Sequence, residues 1–354
     1  MALLAIDPFD NFDNITSVTD AQLSQMWKGA YTATTNLRPA LVEDTAGVGH
    51  RVRFRRNNQA NSAYYGGYSL PIGKTVTTKA VIGVLVGCSN GSGGAVDSYI
   101  MGFERSFNQN PAVTTDALSV TSAGALNFNS LTSADGVFQH GSEQYLTIEL
   151  DFVAGTIAVY VGDSGTPALS GPMTLTSLSY ITFGFLRGTG PNLVELTCDH
   201  IYVLDDAPGG PTERLGIVEV KRLPLVASVE SNFTPQGGAA SNLAAVNKTT
   251  LTTTTYNQSG QVNGVGDTFT VDTTLIADAV EVYGIGLNTL AQKDNSGDRN
   301  QALIAKNGGD KLATIRPLAT SWIAEQAVFT TNPDGSSLTV AGVGAAAFGY
   351  EARA

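Results

Sequence analysis

Apolar and polar residues alternate with a period of two along most of the N-terminal half, the signature of half-buried β-strands. In RVRFRR (51–56), Val52 and Phe54 fall on one face while Arg51, Arg53 and Arg55 fall on the other. KAVIGVLVGC (79–88) reads as a fully apolar strand, and SYIMGFE (98–104), ALNFNS (125–130) and SYITFGFLRG (179–188) continue the series. In QYLTIELDFVAGTIAVYVGD (144–163) the alternation runs out, turns at Ala154-Gly155 and runs back, which predicts a β-hairpin. LVELTCDHIYVLDD (193–206) is the sheet-closing strand, with the first strand near its partner at the start of the chain, led in by DPFDNF. Helical spacing shows at Thr19–Met26, where Thr19 is placed to cap, Gln22 follows three positions on, and Leu23 and Met26 share a face. Trp27 is expected to pack in the core at one end of this assembly.

Many short strands, frequent turn signals and almost no helix predict an all-β fold, with a β-sandwich or jelly roll over 1–206. LDDAPGGPTERLG (204–216), with its prolines, glycines and charges, marks a break, and 207–215 is assigned as linker. A second, smaller β-rich assembly domain is expected over 216–354. There GIVEVKRLPL (216–225) reads as a strand followed by a proline turn. The polar stretch 231–271 reads as a loop-rich arm with few candidates for burial. Residues 276–294 and 301–309 resemble two strands joined through NSGD, and 321–354 carries a Pro-Asp-Gly turn.

The composition agrees with this pattern. Of 354 residues only 14% are charged, 42% are hydrophobic and 39 are glycine, a balance suited to strands and tight turns. A net charge of -11 argues against nucleic acid as a partner, since phosphate contacts need clustered Lys and Arg. Cys88 and Cys198 are too few for a disulfide framework and are expected as buried free thiols. MALLAIDPF has neither the basic nor the apolar stretch of a secretory signal, and no run approaches the ~20 apolar residues of a membrane-spanning helix. The expectation is a soluble protein made in a cytoplasm, with no membrane partner.

Several short motifs together resemble the structural proteins of tailed bacteriophages. They are the D-x-F-D start, the strand ending IYVLDD, the continuation LGIVEVKRLPL, and ESNFTPQGGAASNLAAVN (230–247). GDTFTV (266–271), AVEVYGIGLNTLAQKDNSGDRN (279–300) and NPDGSSLTVAGVGAAAFGYE (332–351) extend the likeness over nearly the full chain. The resemblance implies a concanavalin A/laminin-G-like jelly roll in the N-terminal part. It also implies a virion subunit of the tail, baseplate, fibre or capsid exterior, with other virion proteins and copies of itself as partners.

That type of sandwich also hosts glycoside hydrolases, one large family of which carries Glu-x-Asp-x-x-Glu on a strand. Here Glu149 and Asp151 are present but the sixth position is Ala154, so the second of the two carboxylates is missing. His50, His140 and His200 show no zinc-like spacing, and Cys198 and His200, two apart on a strand, form at most half a metal site. No Gly-x-Ser-x-Gly elbow or Walker loop occurs, and GCSNGSGGAVDS (87–98) reads as a flexible loop. DNSGD (294–298) and GDSGT (162–166) gather oxygen ligands at turns without completing a calcium loop.

No enzyme activity, cofactor or metal is therefore expected. What remains are contact surfaces. Arg51, Arg53 and Arg55 form the one concentrated basic stripe, either a guarded strand edge or a dock for an acidic neighbour. Tyr64, Tyr65 and Tyr68 stand among amides in NNQANSAYYGGYS (57–69), the residue mix of a glycan contact. The expected role is that of a non-enzymatic virion component, with carbohydrate recognition by a tail fibre, through a host-surface glycan, as the alternative.

Overall fold

A computed structural model describes residues 3–7, 28–30, 40–43, 50–55, 66–89, 98–104, 116–185, 195–208, 213–248, 253–260, 263–294 and 296–353. The helix expected over 19–26, Trp27, Tyr64 and Tyr65 lie outside the described residues. The chain divides into two compact units, Met1–Val220 and Lys221–Ala354.

The first unit opens with β1 (Leu3–Asp7), β2 (Lys28–Ala30), β3 (Ala40–Glu43), β4 (His50–Arg55), β5 (Gly66–Val76) and β6 (Lys79–Ser89). It continues through β7 (Ser98–Glu104), β8 (Ala117–Val120), β9 (Leu126–Phe128), β10 (Leu131–Thr132) and β11 (Glu143–Asp151). β12 (Thr156–Val161), β13 (Leu169–Pro172), β14 (Leu178–Phe185) and β15 (Glu195–Asp205) complete it. One sheet has the order β13-β12-β11-β6-β15-β4-β3, with β1 added on β15; the other has the order β10-β9-β8-β7-β14-β5-β2. Val84, Val86, Ile148 and Leu196 from the first sheet meet Phe103, Leu118, Phe128 and Phe183 from the second in one buried cluster. This is an all-β, two-sheet sandwich, as the alternation predicts. The expected hairpin is present, pairing Leu146 with Val161 through to Asp151 with Thr156. Asp151 Oδ1 accepts from the amides of Val153 (3.0 Å) and Ala154 (2.7 Å) and so fixes the turn.

The fully apolar β6 has a structural cause: it lies inside its sheet and is covered on both faces. Its inner face meets the second sheet, while on the outer face Tyr202 lies over Gly83, where an added Cβ would stand 2.0 Å from the ring. Tyr202 stacks on Tyr145 with centroids 6.5 Å apart. Residues 213–220 then run across this outer face. The Leu215 amide donates to Tyr202 OH (3.3 Å), the Val220 amide to His200 Nδ1 (3.4 Å), and the Arg214 guanidinium sits 3.8 Å above the Tyr160 ring. The expected strand over 216–225 is therefore absent: its first residues are bound to the sandwich and the next strand begins only at Leu225.

The second unit holds β16 (Leu225–Glu230), β17 (Thr234–Gln236), α1 (Asn242–Val246), β18 (Tyr256–Gln258), β19 (Gly266–Val271) and β20 (Ile285–Ala291). It ends with β21 (Asn300–Asn307), β22 (Asp310–Pro317), β23 (Ile323–Phe329), α2 (Val340–Ala345) and β24 (Ala347–Arg353). A five-stranded sheet has the order β16-β19-β24-β21-β22, and β17-β18 and β20-β23 form two-stranded ribbons. Leu303, Ala305, Phe329, Val343 and Phe348 lie in its apolar core. The stretch 231–271, expected as a loop-rich arm, contains β17, α1 and β18, and supplies β19 as an inner strand. Nor do 276–294 and 301–309 pair with each other. β21 turns through Gly308-Gly309 onto β22, whereas β20 pairs with β23. The two-residue Gly-Gly turn, with Gly308 at φ 57°, is the stronger hairpin signal and wins over NSGD. The Pro-Asp-Gly turn closes with the Gly335 amide donating to the Asn332 carbonyl (2.9 Å).

A candidate cleft in the second unit

The second unit is organised around a carboxylate. Asp267, on β19 and fully buried, accepts five hydrogen bonds. Oδ1 takes the amides of Asn232 (2.7 Å) and Phe233 (3.0 Å). Oδ2 takes Asn242 Nδ2 (2.9 Å), Asn257 Nδ2 (3.0 Å) and Tyr350 OH (3.2 Å). A buried charge persists only when its oxygens are satisfied in this way. Burial first, and the charge of Asp267 second, push the Tyr350 phenol far above its usual pKa, so it stays protonated and remains a donor. These bonds tie the β16–β17 connection, α1, β18 and β24 to β19, which explains how a stretch so poor in apolar residues is held.

The same hub positions a cleft of about 520 Å³. Asn257 belongs both to the hub and to the lining. Its Nδ2 is pinned by the Asn242 carbonyl (3.0 Å), Asp267 and Tyr350 OH (2.7 Å), whereas its Oδ1 is buried with no partner. On one neighbouring position of β18, Tyr256 is partly exposed and meets Trp322 edge to face, with centroids 5.7 Å apart. Gln258, Gln292 and Asn300 add amides to the lining. Its charged side chains are Lys248, Lys293, Arg299 and Arg353 against Asp294 and Glu351. Glu351 is already held by Lys311 (3.0 Å) and Arg353 (2.6 Å). Lys293 Nζ and Arg299 NH1 instead donate to the carbonyls of Gly297 (2.9 Å) and Asp298 (3.0 Å). The cleft thus combines an aromatic corner, amides and an excess of cations within an acidic chain.

Arg51, Arg53 and Arg55 lie on β4, and Tyr68 lies on β5 in the opposite sheet, with Tyr64 and Tyr65 outside the described residues. β4 is not an edge strand, because β15 and β3 flank it. Arg51 is ion-paired with Glu143, whose carboxylate also accepts from Thr197 Oγ1 at 3.2 Å. Cys198 and His200 do not share a face. A β-bulge between Asp199 and Tyr202 leaves His200 at φ 49° while Cys198 points into the apolar core. Cys88 and Cys198 are free and buried, and burial pushes the Cys198 thiol well above its usual pKa. Glu149 is paired with Lys79 (3.0 Å), and Asp151 caps the hairpin turn. Among the described residues there is no group of three or more His, Cys, Asp and Glu side chains that could hold a metal, and no helix long and apolar enough to cross a membrane.

Sequence reasoning missed Tyr256, Asn257, Trp322 and Asp267. The signal was there in part, since Tyr256-Asn257-Gln258 has the aromatic-beside-amide composition that drew attention to 57–69. Trp322 is distant in sequence and joins them only through the fold.

No family model matches the chain, and neither does any curated protein. Among solved structures it is similar to a sialidase (TM-score 0.39, 12% identity, covering 57% of this chain and 18% of that one). An alginate lyase of Polysaccharide Lyase family 7 gives a TM-score of 0.36 at 11% identity, covering 56% and 99% of the two chains. Peanut lectin gives 0.33 at 8% identity, covering 53% and 94%. The present chain thus spans less than a fifth of the sialidase's length. The chain's own strands show it to be nearly all-β among the described residues, with a two-sheet sandwich in its first unit and a smaller β-rich second unit.

Proposed function

We propose that the chain is a non-enzymatic structural protein that works through protein–protein contacts, as a component of a tailed-bacteriophage particle. One observation carries the assembly part of this reading. The five-stranded sheet ends at β16 and β22, and both edge strands expose large apolar side chains: Val226 (57% exposed), Val229 (53%) and Ile315 (61%). Isolated proteins usually blunt such edges, because unpaired strand edges with apolar side chains recruit other chains. β16 carries two register shifts, which suit contact through side chains, whereas β22 pairs with β21 without interruption and leaves a regular outer edge. The phage assignment rests on the sequence motifs. The non-enzymatic part is supported by the occupation of Glu149 and Asp151 in structural roles.

Sedimentation of the purified chain tests the assembly reading. A symmetric oligomer is expected, and Val226→Lys with Val229→Lys, or Ile315→Lys, shifts it toward monomer with the fold intact. A wild-type chain that stays monomeric at high concentration, and is missing from purified particles by mass spectrometry, would refute it.

A further inference from the structure

We propose that the cleft of the second unit binds an oligosaccharide that carries carboxylate groups. Three independent features converge there. The first is the aromatic corner. Tyr256 and Trp322 meet at 68°, so together they present two walls and no parallel slot. A puckered sugar ring packs its C–H face on one wall and its rim on the other, whereas a flat base stacks on one ring alone. The cavity, about 520 Å³, lies within the ~300–1,000 Å³ typical of small-ligand sites.

The second feature is the set of amides. Asn257 is held in place by the hub through Nδ2, and Gln258, Gln292 and Asn300 supply the adaptable amides that hydroxyl-rich ligands need.

The third feature is charge. Setting aside Glu351 and Arg353, which pair with each other, the lining keeps Lys248, Lys293 and Arg299 against Asp294 alone. In a chain of net charge -11 this local excess of cations is complementary to an anion. Carboxylates spaced along a saccharide satisfy both the cations and the aromatic corner. An apolar ligand would leave the cations and amides unpaired, and an acidic peptide would leave the corner unused.

Isothermal titration of the full chain with a short oligouronate, its carboxyl-reduced neutral counterpart, a poly-Glu peptide and a nucleoside triphosphate tests the proposal. The oligouronate is expected to bind, at least tenfold more tightly than the neutral sugar, with affinity that falls as salt rises. Tyr256→Ala is expected to weaken binding about tenfold, as loss of one aromatic contact does. Lys293→Gln with Arg299→Gln is expected to remove the preference for the acidic sugar while leaving neutral-sugar binding unchanged. Thermal melts establish that each variant is folded. Equal binding of the two sugars, tighter binding of peptide or triphosphate, or wild-type affinity in folded Tyr256→Ala overturns the proposal. So does Tyr256→Ala abolishing self-association, which would make the cleft a seat for another copy. Because sedimentation alone reads the assembly role, the two readings fail separately.

Discussion

Asp267→Asn is the substitution that most sharply tests how the second unit is held together. The change keeps shape and volume but replaces an acceptor with a donor. If the retained oxygen continues to serve the Asn232 and Phe233 amides, the new NH₂ faces Asn242 Nδ2, Asn257 Nδ2 and Tyr350 OH. The hydroxyl can rotate and accept; the two amides cannot. Asn257 Nδ2 keeps the Asn242 carbonyl and Tyr350 OH, but one N–H of Asn242 and one of the new amide are left unpaired at ~1–3 kcal/mol each, and the surviving bonds lose their charge assistance. The expected loss is ~3–5 kcal/mol, a large share of the ~5–15 kcal/mol that typically holds a domain folded. Urea unfolding followed by Trp322 fluorescence reads it, in a Trp27→Phe background, because the chain has two tryptophans. Asp267→Ala, which removes the acceptor of all five bonds, is expected to prevent the unit from folding. A loss below ~1 kcal/mol for Asp267→Asn at unchanged urea dependence would refute the view that this carboxylate is the organising centre.

In the first unit, Gly83→Ala drives a methyl into the Tyr202 ring and should cost ~1–3 kcal/mol, whereas in a Tyr202→Ala background most of that cost should vanish. A double-mutant cycle by chemical denaturation checks this. Burial raises the Glu325 pKa despite Arg316, so its carboxylate is less comfortable folded than unfolded. The resulting penalty is present at neutral pH and relieved as pH falls below the ordinary glutamate range. Glu325→Gln should therefore gain stability relative to wild type between pH 4 and pH 7, as read by urea midpoints at both. Arg51→Ala, which breaks a half-exposed pair with Glu143, should cost about 1 kcal/mol or less and cost still less in ~1 M salt, as read by thermal melts.

What the sequence shows and hides divides along a physical line. Periodicity reports which face of a strand is buried, so β4, β6, β7, the β11–β12 hairpin and β15 are all legible near their observed limits. It does not report partners. β6 lies between β11 and β15, neither adjacent to it in sequence, and no local pattern encodes that order. Local geometry is equally silent: the bulge at His200 turns a Cys-x-His spacing that looks one-faced into a thiol in the core and a ring on the other side. The same holds for 216–220, where good strand residues run on from the Leu215–Tyr202 bond and end in a bond from the Val220 amide to His200, contacts that only the fold creates.

The second unit was the harder to read because it does not rely on apolar alternation. Its stretch 231–271 looks too polar to fold when burial is counted in hydrophobic residues alone. Asp267 changes the count, since a satisfied carboxylate can fix five donors from four other segments at once, with a directionality that apolar contacts lack. That directionality has a consequence for recognition. Asn257 is held by the hub and also lines the cleft, so this part of the wall is fixed before any ligand arrives. A site whose lining is already ordered loses less side-chain entropy on binding than one built on free amides. The feature that made this stretch look unstructured, its wealth of Asn, Gln and Thr, is thus what lets it hold a polar site rigid.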